Sequence, residues 1–238
     1  MNSADASASD ELISRWQQVR DEIAQASEQA GRTSGAVQLL AVSKLHSADA
    51  MAALHAHGQR DFGENYVQEA LDKMQTLADR DIVWHLIGPL QSNKTSDVAA
   101  HFDWVHSVDR LKIARRLNDQ RPAELASLNI CLQVNIDDEA SKSGCTLAEL
   151  PALVEAVMAM PRLKLRGLMV IPKAGDTSAF ATLAKTHAAI LARLPTQSAS
   201  AFDTLSMGMS ADVTEAIAAG STWVRVGSAI FGARPTTS

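Results

Sequence analysis

The stretch Leu205-Ser206-Met207-Gly208-Met209-Ser210, followed by Trp223-Val224-Arg225-Val226-Gly227-Ser228, repeats one design: a short apolar strand that delivers serine and glycine to a turn. Two such strand ends side by side make a phosphate cradle, because glycine lets the backbone approach an anion and serine hydroxyls donate to it. The helix read from Ala211 to Ala219 aims its N-terminus at the same place, and a helix start favours negative charge.

Working upstream from this pair, strand-like apolar runs recur at Val37 to Val42, Asp61 to Gly63, Val83 to Ile87, Trp104 to Val108, Ile130 to Asn135 and Leu165 to Val170, with Asp203 to Met207 and Trp223 to Val226 completing the set. Alanine- and leucine-rich helical segments lie between them, such as Ala48 to His57, Val67 to Ala78, Leu147 to Met158 and Ser178 to Leu194. Alternation of this kind means parallel strands covered by helices, and eight strands close a (β/α)8 barrel. A doubly wound open sheet would alternate in the same way, but its G-x-G-x-x-G fingerprint is missing after the first strand. The expected architecture is therefore α/β, a single (β/α)8 TIM barrel over about 37–234 with an extra N-terminal helix, Glu11 to Ala30, ending at Gly31. The whole chain, 1–238, is read as one domain, with residues 1–10 expected to be disordered.

Barrel enzymes place their sites at the C-terminal ends of the strands, often with phosphate held after strands seven and eight. Lys44 closes the first strand, which neighbours the eighth in a closed barrel, so this lysine and the cradle converge although they are far apart in sequence. Lysine is the side chain that forms a Schiff base with an aldehyde cofactor. A strand-end lysine opposite a phosphate cradle points to pyridoxal 5'-phosphate (PLP). The plainer alternative for Lys44 alone is a snorkelling or ion-paired lysine. Arg225 keeps the facing of Gly227 on a strand of period two; it either meets the cofactor or forms an interior ion pair with Glu64 or an aspartate. An arginine at the pyridine nitrogen would keep that nitrogen unprotonated and make the cofactor a weak electron sink. His85 lines the site or is a satisfied core group. Asn65 contacts the cofactor or caps the following helix. Met169 packs on the cofactor or fills the core.

The composition narrows the function classes. With 46% hydrophobic residues among 238 the chain can bury a large core, and a net charge of -5 leaves no basic field for gripping nucleic acid. The two cysteines, Cys131 and Cys145, form no CxxC pair, and the histidines sit in no HExxH context, so neither a disulfide scaffold nor a metal site is expected. Met1 to Asp10 lacks the features of a secretory signal and no run reaches membrane-spanning length, so the expected location is cytoplasmic.

Taken together, Ala41-Val42-Ser43-Lys44, Phe62-Gly63-Glu64-Asn65-Tyr66, His85-Leu86-Ile87-Gly88-Pro89-Leu90-Gln91-Ser92-Asn93-Lys94, Gly167-Leu168-Met169-Val170-Ile171-Pro172 and the cradle segment through Ile230-Phe231-Gly232 resemble the pyridoxal phosphate homeostasis proteins. The likeness runs in collinear order from about Val37 to Arg234, and Val134-Asn135-Ile136 with Glu139, Lys142 and Gly144 fits it. It departs at Leu45-His46-Ser47, directly after the lysine. The family is similar in fold to the N-terminal barrel of alanine racemase. The resemblance implies PLP in a Schiff base with Lys44, phosphate contacts at Ser206, Gly227 and Ser228, and Arg225 near the pyridine nitrogen. Asn65, His85, Met169 and Met207 complete the expected cofactor-binding set.

The function expected is sequestration of PLP and its delivery to apo PLP enzymes, without efficient catalysis, by a monomer. The chain ends at Ser238 just past the eighth strand, so the domain that supplies a tyrosine base in alanine racemase is not expected, and the sole tyrosine, Tyr66, is not assumed to replace it. The rival is a PLP-dependent amino-acid racemase, with Lys44 on one face of the substrate and Cys145, His85 or His46 on the other. A third class is an interaction protein built on a barrel that has lost its cofactor.

Overall fold

Eight parallel strands pair in sequence order, and the eighth pairs back to the first, closing the barrel. The structure is a computed structural model that describes residues 3–137, 143–173 and 175–233. The strands are β1 (Gln38–Val42), β2 (Asp61–Glu64), β3 (Val83–Leu86), β4 (Trp104–Val108), β5 (Leu128–Gln133), β6 (Leu163–Met169), β7 (Thr204–Met209) and β8 (Trp223–Val226). The helices are α1 (Ser3–Gln29), α2 (Ala48–Ala56), α3 (Val67–Thr76), α4 (Thr95–His101), α5 (Leu111–Gln120), α6 (Leu150–Met158), α7 (Ser178–Leu191), α8 (Thr196–Ala199), α9 (Val213–Ala218) and α10 (Ser228–Phe231). The expected barrel and its leading helix are thus both present.

Parallel strands covered on both faces need apolar residues at nearly every position, and period-two alternation divides those residues between two cores. Outward-facing Ala41, Phe62, Leu205, Met207, Val224 and Val226 join the large cluster between strands and helices. Inward-facing Leu40, Val42 and Ile87 pack together inside the barrel, as do Trp104, Cys131 and Met169. Helix α1 buries Leu12, Trp16, Val19, Ile23 and Ala26, a stripe at helical spacing. It packs on α2, α9 and α10, covering the seam where β8 meets β1.

Three differences from the sequence reading have local causes. Helix α1 begins at Ser3, eight residues before the Glu11 start read from the sequence, as the alanines of that stretch permit. Helix α6 begins at Leu150 and not at Leu147: Thr146 and Glu149 exchange hydrogen bonds that close the entry turn, but Pro151 has no N–H to bond the Leu147 carbonyl. Helix α9 begins at Val213 and not at Ala211, since Asp212 accepts from the Met209 N–H and organises the turn before it. Glu139, Lys142 and Arg234, named in the family pattern, lie outside the described residues.

Candidate functional site

The C-terminal ends of β1, β2 and β8 enclose a cavity of about 330 Å³ lined by Lys44, Asn65, Arg225, Gly227 and Ser228. Its wall is completed by Val42, His46, Ile87, Ile171 and the turn Met209–Ala211, with Gly232. A volume of this size suits a small cofactor.

Lys44 continues the inward register of Leu40 and Val42. The backbone on either side of it is clamped from outside the barrel. The Ser43 hydroxyl donates to Glu64 Oε1 at 2.6 Å, Lys73 Nζ donates to the Ser43 carbonyl at 2.8 Å, and the Leu45 N–H donates to Glu69 Oε1 at 2.6 Å. Lys73 joins these groups, lying 2.7 Å from Glu64 and 2.6 Å from Glu69. Burial pushes the Glu64 carboxyl above its ordinary range, against the pull of Lys73 and Ser43. Leu45 itself has φ 63°, the left-handed conformation that a leucine disfavours. Its strained turn tips the chain from β1 onto the cavity rim.

Beside the lysine's strand, Gly227 packs so closely on Val42 that a Cβ would lie 3.2 Å from the Val42 carbonyl oxygen. This contact draws the ends of β1 and β8 together. Ser228 opens α10, whose first N–H groups have no partner within the helix. Arg225 is buried in the wall. Its Nη1 donates to Ser206 Oγ at 2.9 Å and its Nη2 to the Val170 carbonyl at 2.9 Å. Burial lowers the guanidinium to about 10, which leaves it charged at neutral pH. Glu64, considered above as its ion-pair partner, is committed to Lys73. Asn65 carries a buried Oδ1 with no hydrogen-bond partner, and an unpaired buried acceptor in a cavity wall is available to a ligand. Gly88 fixes its position: a Cβ there would lie 2.3 Å from the Asn65 carbonyl oxygen.

The structure does not bring every expected residue into the wall. Met207 faces outward into the helix-covered core, because it alternates with inward-facing Ser206. A bulge centred on Gly208, with φ +94°, shifts the register between Ser206 and Met209 and turns Met209 and Ser210 to the cavity in its place. Met169 fills the barrel interior beside Trp104 and Cys131. Ser206 lies beneath the wall and reaches the cavity only through Arg225. His85 is fully buried below, hydrogen-bonded to His106 and Asp61.

Several residues that build the site were absent from the sequence reading. Lys73 and Glu69 clamp the lysine from α3, and their i, i+4 spacing is the one signal that could have flagged them. Asp61 and His106 reach Ser206 through the barrel interior, and the last step, from β4 across to β7, follows only from closure. Of the groups considered as a second base, His46 lines the cavity and stacks on Phe231 at 4.8 Å. Cys145 is buried and absent from the wall, and burial pushes its thiol up to about 12. Among the described residues no cluster of metal-ligating side chains occurs, and no helix is long and apolar enough to cross a membrane.

Comparison with known proteins places this geometry. The family model described as "Alanine racemase, N-terminal domain" matches residues 15–235. The "Pyridoxal phosphate homeostasis protein" of Pseudomonas aeruginosa is 56% identical over 217 residues, covering 89% of this chain and 91% of the relative. An unknown protein from Bifidobacterium adolescentis superposes with a TM-score of 0.86 at 35% identity, covering 97% of each chain. PipY of Synechococcus elongatus, solved with PLP bound, superposes with a TM-score of 0.75 at 39% identity, covering 88% of this chain and 100% of PipY. The chain therefore belongs to the alanine racemase N-terminal domain family and, within it, to the pyridoxal phosphate homeostasis proteins.

Proposed function

We propose that this protein binds PLP in the upper cavity and serves intracellular PLP homeostasis, holding the coenzyme and delivering it to apo PLP enzymes. The observation that carries the reading is the convergence of Lys44, Asn65, Arg225, Gly227 and Ser228 on one cavity of about 330 Å³. When bound, PLP supplies an electrophilic aldehyde carbon and an electron-withdrawing ring. The residues present fit it: an amine from Lys44, a spare carboxamide acceptor at Asn65, and a serine at a helix start for an anion. Arg225 fits the ring nitrogen. Its guanidinium is held from behind by Ser206 and Val170, and as a pure donor it leaves that nitrogen unprotonated. This disfavours carbanion chemistry and supports storage over turnover. Ser206 acts by orienting Arg225, and the Met209–Ser210 turn takes the place that Met207 was expected to fill. We place the protein in the cytoplasm, acting as a monomer.

The test is the absorption spectrum of the protein incubated with PLP, before and after borohydride, with the modified residue mapped by mass spectrometry. The reading requires a borohydride-fixed adduct on Lys44 and none on Lys44→Ala. Stable covalent PLP on Lys44→Ala would overturn it. Delivery is tested by activation of an apo PLP enzyme by the loaded protein, with a PLP-trapping competitor present.

A racemase reading draws on one observation, the place of His46 in the cavity wall. Deuterium wash-in at the α-carbon of alanine or serine decides it: exchange at enzyme-like rates would replace the storage role with catalysis.

A further inference from the structure

An unbroken series of hydrogen bonds crosses the inside of the barrel from one mouth to the other. Arg225 Nη1 lies 2.9 Å from Ser206 Oγ, which lies 2.8 Å from His106 Nδ1. His106 Nε2 lies 3.0 Å from His85 Nδ1, and His85 Nε2 lies 3.0 Å from Asp61 Oδ1. Arg225 lines the upper cavity. Asp61 lines a groove of about 850 Å³ at the opposite end, beneath α1, and its side chain keeps 25% of its exposure there. The three groups between are buried. Trp104 stacks on His85 at 5.4 Å and 9°, and Trp223 lies 5.1 Å from the same ring, so the middle of the series is packed in aromatic surface.

The two ends dictate the direction of every bond between them. A carboxylate only accepts, so His85 must carry its proton on Nε2. As a neutral ring it then accepts at Nδ1, which obliges His106 to donate from Nε2 and to accept at its own Nδ1. Ser206 must donate to that nitrogen, which leaves its lone pairs for Arg225, a group that only donates. The opposite direction would set a bare Nε2 against the Asp61 carboxylate. Burial lowers the proton affinity of both rings and agrees with neutral histidines. The other charges acting on the series are Asp103, which acts on His85, and Arg225, which acts on His106. Satisfied core histidines need partners but no common polarity; here one polarity is enforced from end to end.

We propose that Asp61, His85 and His106 are positioning residues for the upper cavity: a one-way donor chain, anchored on Asp61 in the lower groove, that fixes Ser206 as the acceptor holding Arg225. A change at Asp61 is thereby felt at Arg225. The proposal rests on the function proposed above only in its last step, where Arg225 faces PLP.

Nitrogen-15 spectra of the histidine side chains in coenzyme-free protein test the polarity directly. We expect the neutral Nε2–H tautomer at both His85 and His106. A proton on Nδ1 of either ring in the wild type overturns the proposal, and this arm needs no variant. In Asp61→Ala the anchor is gone, and we expect mixed tautomers at both rings with PLP release faster by on the order of tenfold, the scale of one charged hydrogen bond. Asp61→Asn, which keeps an oxygen acceptor, should restore both readouts toward wild type. A folded Asp61→Ala with wild-type tautomers or wild-type release refutes the coupling. Failure of the wild type to take up PLP sinks the functional reading instead, and leaves the tautomer result to stand or fall separately.

Discussion

Lys73 on α3 holds Glu64 at 2.7 Å and the carbonyl of Ser43 at 2.8 Å, so one buried ammonium braces the residue that precedes Lys44. Removing one partner of such a pair strands the other charge in a poorly solvated place. Lys73→Met is expected to destabilise the fold by about 3–5 kcal/mol, while Lys73→Met combined with Glu64→Leu recovers most of that loss. Urea denaturation of the three proteins checks this. A double variant as unstable as the single one would show that the pair is not the source.

Arg225 has two hydrogen bonds that a lysine cannot both reproduce, since they diverge from two guanidinium nitrogens to Ser206 and Val170. Arg225→Ala is expected to speed PLP release without abolishing the Lys44 adduct, and Arg225→Lys should fall between Ala and wild type. Stopped-flow release into a PLP trap gives the order; equal rates in all three would remove Arg225 from the ring.

His85 and His106 are both held below 6.5, their ordinary value, by burial. Below that pH the unfolded chain takes up protons that the folded chain refuses, so stability is full above about pH 6.5 and is lost as the pH falls. Each ring contributes a slope of up to about 1.4 kcal/mol per pH unit. Unfolding free energies between about pH 7 and 5 should show this fall, and His106→Gln should flatten it. An unchanged slope would trace the fall to other groups.

Gly88 has no room for a side chain, because a Cβ would lie 2.3 Å from the Asn65 carbonyl oxygen. Gly88→Ala is expected to push the β2 end aside, cost about 1–3 kcal/mol, and weaken PLP retention through the displaced Asn65. Asn65→Ala should weaken retention without the stability loss. Thermal melts run beside equilibrium dialysis separate the two effects.

Cys145 is buried, with its thiol pushed up to about 12. Thiolates, not thiols, react with alkylating reagents. Neither Cys145 nor the buried Cys131 should react with iodoacetamide at pH 8 until the protein unfolds. Rapid native alkylation at Cys145 would revive it as a candidate base.

The repeat of apolar strand and alanine-rich helix made the barrel legible, and with it the convergence of Lys44, Arg225, Gly227 and Ser228, because strand order alone brings strand ends together. Asn65 was legible for the same reason, at the end of β2. Met207 faces outward by alternation with Ser206, and the turn of Met209 and Ser210 toward the cavity was not legible, because a single glycine does not announce whether it bends a strand or merely ends one. The link from Asp61 to Ser206 could not be read at all. It joins residues from four strands: β2, β3 and β4 are neighbours in the sheet, but only closure sets His106 of β4 against Ser206 of β7.

That closure also limits how another molecule can engage the protein. With β8 bonded to β1, the sheet presents no lateral row of unsatisfied amides and carbonyls. A visiting polypeptide therefore finds no place to add itself to the barrel as a ninth strand, and an enzyme that collected coenzyme as proposed above would have to come to the rim and meet side chains and turns.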